Sequence, residues 1–276
     1  MAPSRTFTAF RKNKLALTGL AILAAMVVVA LAAPYIAGHD PAEINVKERL
    51  KPPAAGRLMG TDDFGRDVFS RVVYGTRVSL IIALCVSLTA AALGAGLGMI
   101  SGYWGGPMDF VTMRFMDGLM AFPALLLSLA IMAALGPSTL NLIIALAVVY
   151  VPTFARLTRS SVLVIRELEY VEAAKAAGAD ATRIIFDHIL PNCLSPLIIQ
   201  VTVVFGYAIL SEAALSFLGF GAPSKASWGT ILSEGRKFVY DAPWISVYPG
   251  LAISLFVLGV NLAGDGLRDV LDPRMK

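Results

Sequence analysis

Charge is in short supply in this sequence. Asp, Glu, Lys and Arg make up 15% of its 276 residues and apolar residues 57%, against roughly 25% and about 45–50% in soluble domains. That balance excludes an ordinary water-soluble domain and makes the bilayer the expected solvent. Cysteine and histidine are almost absent. Cys85 and Cys193 lie in different segments, and His39 and His188 are far apart, so neither a disulfide framework nor a metal site is expected. No G-x-x-x-x-G-K-[ST] phosphate loop, H-E-x-x-H or G-x-S-x-G motif occurs, so the chain is not expected to be an enzyme or to hold a cofactor of its own. Any ATP it depends on must be bound by another chain. No appended soluble domain, nucleic-acid partner or internal repeat is expected. The missing repeat argues against a secondary transporter of inverted halves.

What the chain has instead is long apolar runs. Six are long enough to span a bilayer, at roughly 15–36, 78–100, 116–135, 139–158, 194–214 and 246–264. The first is too long for the roughly 7–15-residue core of a signal peptide, so it is expected to remain as a helix. Arg5, Arg11, Lys12 and Lys14 precede any acid, the first of which is Asp40. By the preference for basic residues inside, the N-terminal tail is expected in the cytoplasm. Six crossings would return Arg268, Arg274 and Lys276 to the same side. The basic residues of the 36–77 loop are nearly balanced by acids, so the orientation rests mainly on the tail.

One polar stretch interrupts this pattern, EYVEAAKAAGADATRIIFDHILPN, from Glu169 to Asn192. Glu169 to Ala177 is rich in strong helix formers. Gly178 suits a left-handed helix end and Asp180 a following N-cap. Ile184, Ile185, His188 and Ile189 fall on one side of a second helix, which Pro191 is expected to stop. The alanines of the first helix would let a partner surface approach the backbone closely. Pattern alone allows an ordinary connecting helix pair lying on the membrane.

The spacing says more. Glu172-Ala173-Ala174, then Gly178, then His188 and Leu190-Pro191 resembles the EAA motif of ABC importer permeases. Many members carry an apolar residue where this chain has His188, and His-Ile-Leu-Pro-Asn resembles the variant of dipeptide and oligopeptide permeases. GTDDFGRDVFSRVVYGTRVSL (60–80), SGYWGGPMDFVTMRFMDGLMAFPALLL (101–127), SEAALSFLGFG (211–221) and GDGLRDVLDPR (264–274) resemble other parts of the same subfamily, its second or C-type permease. The resemblance implies an all-α integral membrane protein of six transmembrane helices with the type I ABC importer fold, in the bacterial inner membrane, both termini cytoplasmic. It implies an N-terminal region over 1–77, a transmembrane core over 78–264 and a cytoplasmic tail over 265–276. It implies a non-identical sister permease, two cytoplasmic ATPases that bind ATP and Mg, and an extracytoplasmic binding protein that delivers a peptide. Glu172, Ala173, Ala174, Gly178, His188, Leu190 and Pro191 would dock on an ATPase and couple its closure to rocking of the permeases. Nickel chelates and glutathione are alternative cargoes, and a channel or secondary transporter is the rival class.

Within the spans, Ala90, Gly94, Gly98 and Gly102 form a small-residue row suited to close helix packing, with any further role confined to the subunit interface. Pro123, Pro152 and Pro249 are expected to kink their spans. Arg114 and Asp117 can pair on one helix face as local anchors. Glu212, an acid at membrane depth, would serve an outer gate or bond to the 211–221 loop.

Overall fold

A computed structural model describes residues 13–221 and 226–271, which are mostly helical with no β-strand among them. Arg5, Arg11, Lys12, Arg274 and Lys276, which enter the orientation argument, lie outside the described residues. Helix α1 spans Lys14–Leu31, α2 Val68–Trp104, α3 Gly106–Met120, α4 Ala124–Leu135 and α5 Thr139–Ile165. The short α6 covers Glu169–Ala176, α7 Leu190–Leu215, α8 Trp228–Gly235 and α9 Trp244–Leu271. Five helical stretches are long and apolar enough to cross a membrane, and α3 with α4 makes a sixth if the pair counts as one span.

That sixth span departs from expectation. The apolar run at 116–135 is two helices bent by 93°. Pro123 stands outside α4, as its N-cap residue, so it marks a corner between helices and not a kink within one. Pro152 and Pro249 do lie inside α5 and α9. The second span also begins earlier than its apolar run, at Val68. Asp67 caps it, accepting from the Ser70 N–H at 2.8 Å and the Ser70 hydroxyl at 2.6 Å. Its first turns carry Arg71 and Arg77, so a criterion of apolar length overlooks them. At about 1.5 Å per residue, the 37 residues of α2 reach about 55 Å.

The small-residue row of α2 builds the central contact. A Cβ on Gly94 would lie 2.5 Å from Phe154 Cβ, one on Gly98 would collide with the Ala155 carbonyl, and one on Gly102 would lie 2.8 Å from Val162 Cβ. The row therefore packs against α5 of the same chain, running parallel to it. This is the close helix packing expected of the row, made within the chain. Sequence spacing reveals a face made for close approach, but not which helix approaches. Gly19 and Gly259 bring α1 against α9 in the same way, antiparallel.

Two apolar cores stack along α2. One joins Val68, Ile82, Leu142, Ile209, Trp228 and Phe256. The other joins Met116, Phe154, Val162, Val171, Ile184 and Ile189. Each core carries a short helix at its end of the bundle, α8 on the first and α6 on the second.

Candidate coupling surface and its opposite end

Helix α6 leaves the bundle directly after α5. Arg166 fixes the departure point by donating to the Gly102 carbonyl at 2.8 Å and to Glu167 at 2.9 Å. Glu169 and Glu172 lie in the first turn of α6 and Lys175 in the last, both favourable to the helix dipole. Val171 is the one buried residue of α6, fully enclosed against the second core. Glu172, Ala173, Ala176, Ala177 and Gly178 are exposed, and Ala174 is half-buried.

The C-terminus of α6 closes as a Schellman motif. The Ala179 N–H donates to the Ala174 carbonyl and the Gly178 N–H to the Lys175 carbonyl, each at 3.0 Å. Gly178 adopts φ +85° with open space around its Cα. The demand for glycine there is one of backbone conformation, not of room. Asp180 then caps the next turn, accepting from the Arg183 N–H at 3.2 Å.

Pro191 does not stop that second helix. The backbone stays helical from Ala181 to Phe220, and Pro191 sits in the first turn of α7. The preceding turn, Ile184–Ile189, is π-wound, and the Leu190 N–H reaches back to the Ile185 carbonyl. A widened turn absorbs the missing proline N–H and the ring that would crowd an α-helical carbonyl. His188 faces Tyr170 of α6 with ring centroids 6.1 Å apart. Asn192 donates to the Tyr170 hydroxyl at 3.1 Å and to the His188 carbonyl at 2.6 Å. Glu172, Ala173, Ala174 and Gly178 thus belong to the projecting helix. His188, Leu190 and Pro191 form the root of α7 beside it.

The intramembrane residues sort differently from expectation. Asp117 accepts from Arg156 of α5 at 2.5 Å, while the Arg114 guanidinium lies over the Phe110 ring at 5.4 Å. The pair Arg114–Asp117 is not made because a cation on the neighbouring helix reaches the carboxylate first. Glu212 is buried and accepts from Ser216 at 2.8 Å, Ser227 at 2.6 Å and Ser79 at 3.4 Å. It does bond into the 211–221 stretch, but it also joins α2 to the N-cap of α8.

At the end opposite α6, sequence reasoning missed an ion network. Asp62 accepts from the Phe64 and Arg66 N–H groups at 2.9 Å each, from Arg66 Nε at 2.6 Å and from Arg71. Glu234 of α8 accepts from Arg66 at 2.7 Å and Arg71 at 2.6 Å through one oxygen. Burial, with Asp62 and Glu234 nearby, raises the Asp63 carboxyl above its usual pKa. Asp62, Asp63 and Glu234 converge within 4.8 Å, but Arg66 and Arg71 fill that convergence. Trp228 completes the clamp, donating from its ring to the Val72 carbonyl at 3.1 Å. The alternation of acids and arginines along 62–71 was the visible signal. The partner, Glu234, lies far away in sequence.

A helical bundle of this span pattern, with a short polar helix projecting at one end, is the fold of type I ABC importer permeases. The methionine ABC transporter MetNI in an inward-facing conformation aligns with a TM-score of 0.58 at 18% identity, over 72% of this chain and 96% of that one. The family model described as binding-protein-dependent transport system inner membrane component matches residues 94–276, and the chain belongs to that family. Residues 4–53 match the N-terminal TM domain of oligopeptide transport permease C. The dipeptide transport system permease protein DppC of Alkalihalophilus pseudofirmus is 49% identical over 98% of this chain and 89% of its own length. A putative peptide transport system permease protein of Brucella suis is 52% identical over 94% of this chain and 87% of its own. DppC of Escherichia coli is 46% identical over 97% and 91%. Membership in this family removes the channel and secondary-transporter alternatives.

Proposed function

We propose that this chain forms one half of the translocation pathway of a peptide importer and receives the force of a cytoplasmic ATPase on α6. Peptides are favoured over nickel chelates or glutathione because relatives named for dipeptides match along nearly the whole chain. A non-identical sister permease would supply the other half, two ATPases would bind ATP and Mg, and a binding protein would deliver cargo at the α8 end. The α6 end, with the start of α1 and the end of α9, would then face the cytoplasm. The sequence contains no phosphate loop, which supports giving nucleotide hydrolysis to those partners.

The observation that carries the coupling role is the exposed face of α6. Glu172 makes no side-chain hydrogen bond or ion pair with any described residue, so its charge is free for a basic partner group. The neighbouring alanines leave the backbone open to close approach. An ATPase pressing on α6 would push, through Val171, on Ile184 and Ile189, which lie at the root of α7. The displacement would thereby enter a spanning helix.

The test is uptake and co-purification with the complete transporter. Gly178→Val strains the left-handed residue by about 1–3 kcal/mol and should abolish uptake and weaken ATPase association at normal membrane abundance. Glu172→Lys should act similarly by reversing the charge. Ala179→Ser should do little. Normal uptake and association in both of the first two variants would end the assignment.

A further inference from the structure

A cavity of about 740 Å³ opens at the α8 end of the bundle. Its long wall is one stripe of α2: Arg71, Tyr74, Arg77, Val78, Ile81 and Ile82. These positions recur three or four residues apart, as one helix face must. Arg66 and Glu234 line the cavity as well. The volume falls within the roughly 300–1,000 Å³ of small-molecule sites.

The ion pairs on this wall leave one cation out. Asp62, Asp63 and Glu234 pair with Arg66 and Arg71. Arg77 is exposed and makes no ion pair or side-chain hydrogen bond with any described residue. Arg71, 3% exposed, keeps its Nε without a hydrogen-bond partner. The Arg77 guanidinium is therefore unspent on a concave surface, whereas the Arg71 Nε is enclosed. A guanidinium presents a planar fork that matches a carboxylate with two parallel hydrogen bonds. Val78, Ile81 and Ile82 continue the stripe beyond Arg77 and offer an apolar strip for whatever adjoins that carboxylate. Glu234 lines the same cavity, and a doubly charged anion would meet its repulsion.

We infer that this cavity is a receiving subsite for a ligand bearing one free carboxylate, with Arg77 holding the carboxylate and Val78, Ile81 and Ile82 the apolar part next to it. On the peptide reading above, on which this identification rests, the group is the C-terminal carboxylate of a peptide. Arg77 is then the residue that distinguishes a free C-terminus from a blocked one inside the permease itself.

The experiment uses the complete permease–ATPase complex in nanodiscs without binding protein. Trialanine, its C-terminal amide and N-acetyl-trialanine serve as probes in saturation-transfer NMR. Trialanine and N-acetyl-trialanine should give signals at least about threefold stronger than the amide. Arg77→Gln should bring all three to the level of the amide, and Arg77→Lys should retain much of the difference. Equal signals for acid and amide on the wild type, or an unchanged difference in Arg77→Gln, would overturn the subsite. If Arg77→Gln fails to accumulate, the wild-type comparison of acid with amide decides. Trialanine uptake by wild-type vesicles carrying the full transporter is measured in parallel. Failure of that uptake counts against the peptide reading alone, whereas a signal dependent on both carboxylate and Arg77 supports the subsite regardless.

Discussion

The two ends of this bundle hold their short helices in opposite ways. Helix α8 is clamped. Trp228 is fully buried, Ser227 is bonded to Glu212, and Glu234 takes part in an ion network with Arg66 and Arg71. Helix α6 is perched. One fully buried side chain, Val171, seats it, and a single polar contact through Asn192 and Tyr170 steadies it. The difference follows from what each helix must do in the proposed cycle. A wall at the delivery end needs a fixed shape before cargo arrives. A docking helix must keep its polar face wet and its small residues uncovered until a partner covers them. On that proposal, few interactions hold α6 to the bundle because most of its surface would be reserved for a partner.

The comparison breaks most severely at Asp62. Its carboxylate is buried and serves two guanidiniums and two backbone N–H groups. Removing one partner of a buried ion pair costs about 3–5 kcal/mol, because the remaining charge is left uncompensated. Arg71, itself buried, would keep only its pair with Glu234, so the loss should fall toward the lower end of that range. Asp62→Ala should therefore lower membrane abundance and the midpoint of thermal unfolding. Protease cleavage should increase within the 40–67 segment and around α8. Normal abundance and an unchanged midpoint would show that the clamp at this end is not needed for the fold.

At the other end a smaller change should act on function before stability. Val171→Ala removes two methyl groups from an enclosed site, worth about 1.6 kcal/mol at roughly 0.8 per buried carbon. The spanning helices do not depend on Val171, so abundance should stay within a factor of two of wild type. Helix α6 should loosen, seen as faster amide exchange over residues 169–178, and uptake should fall several-fold. A fall in abundance matching the fall in uptake would mean that α6 supports the fold as α8 does, and the contrast between the ends would disappear.

How far the sequence carries depends on whether a feature is local. The spans are legible because a run of about twenty apolar residues matches the thickness of a bilayer core. The αL end at Gly178 and the cap at Asp180 are legible because both depend only on neighbours. The corner at Pro123 was half legible. The proline is visible, but an unbroken apolar run conceals a turn of 93°. The partner of the Gly94–Gly98–Gly102 row, the cation that takes Asp117 and the contacts of Glu212 with Ser79 and Ser227 were not legible. Each is a contact between helices distant in sequence, and a single chain read alone contains spacing without neighbours. The ion network at Asp62 belongs to the same class. Its near half, Asp62 to Arg71, is written within one loop, but Glu234 completes it from another.

The finest test of the contrast is at Asn192, on the exposed side of the α7 root. Its amide donates to the His188 carbonyl and to the Tyr170 hydroxyl, and so ties the first turn of α7 to α6 next to the widened turn before Pro191. Both bonds are exposed to water, which can replace either partner. Asn192→Ala should thus cost only about 0.5–1 kcal/mol, and none of it should reach the transmembrane core. That corresponds to about a two- to fivefold shift in the population of seated α6. Asn192→Asp refines the result. A carboxylate can still accept from the Tyr170 hydroxyl, but it cannot donate to the His188 carbonyl and would repel it. If the tie to Tyr170 matters, the aspartate variant should keep more uptake than the alanine variant. If the bond to the His188 carbonyl matters, because it satisfies the loosened turn, aspartate should be the worse of the two. Uptake at wild-type level in both variants, with amide exchange over residues 169–178 unchanged, would leave Val171 and the Tyr170–His188 ring contact to tether α6.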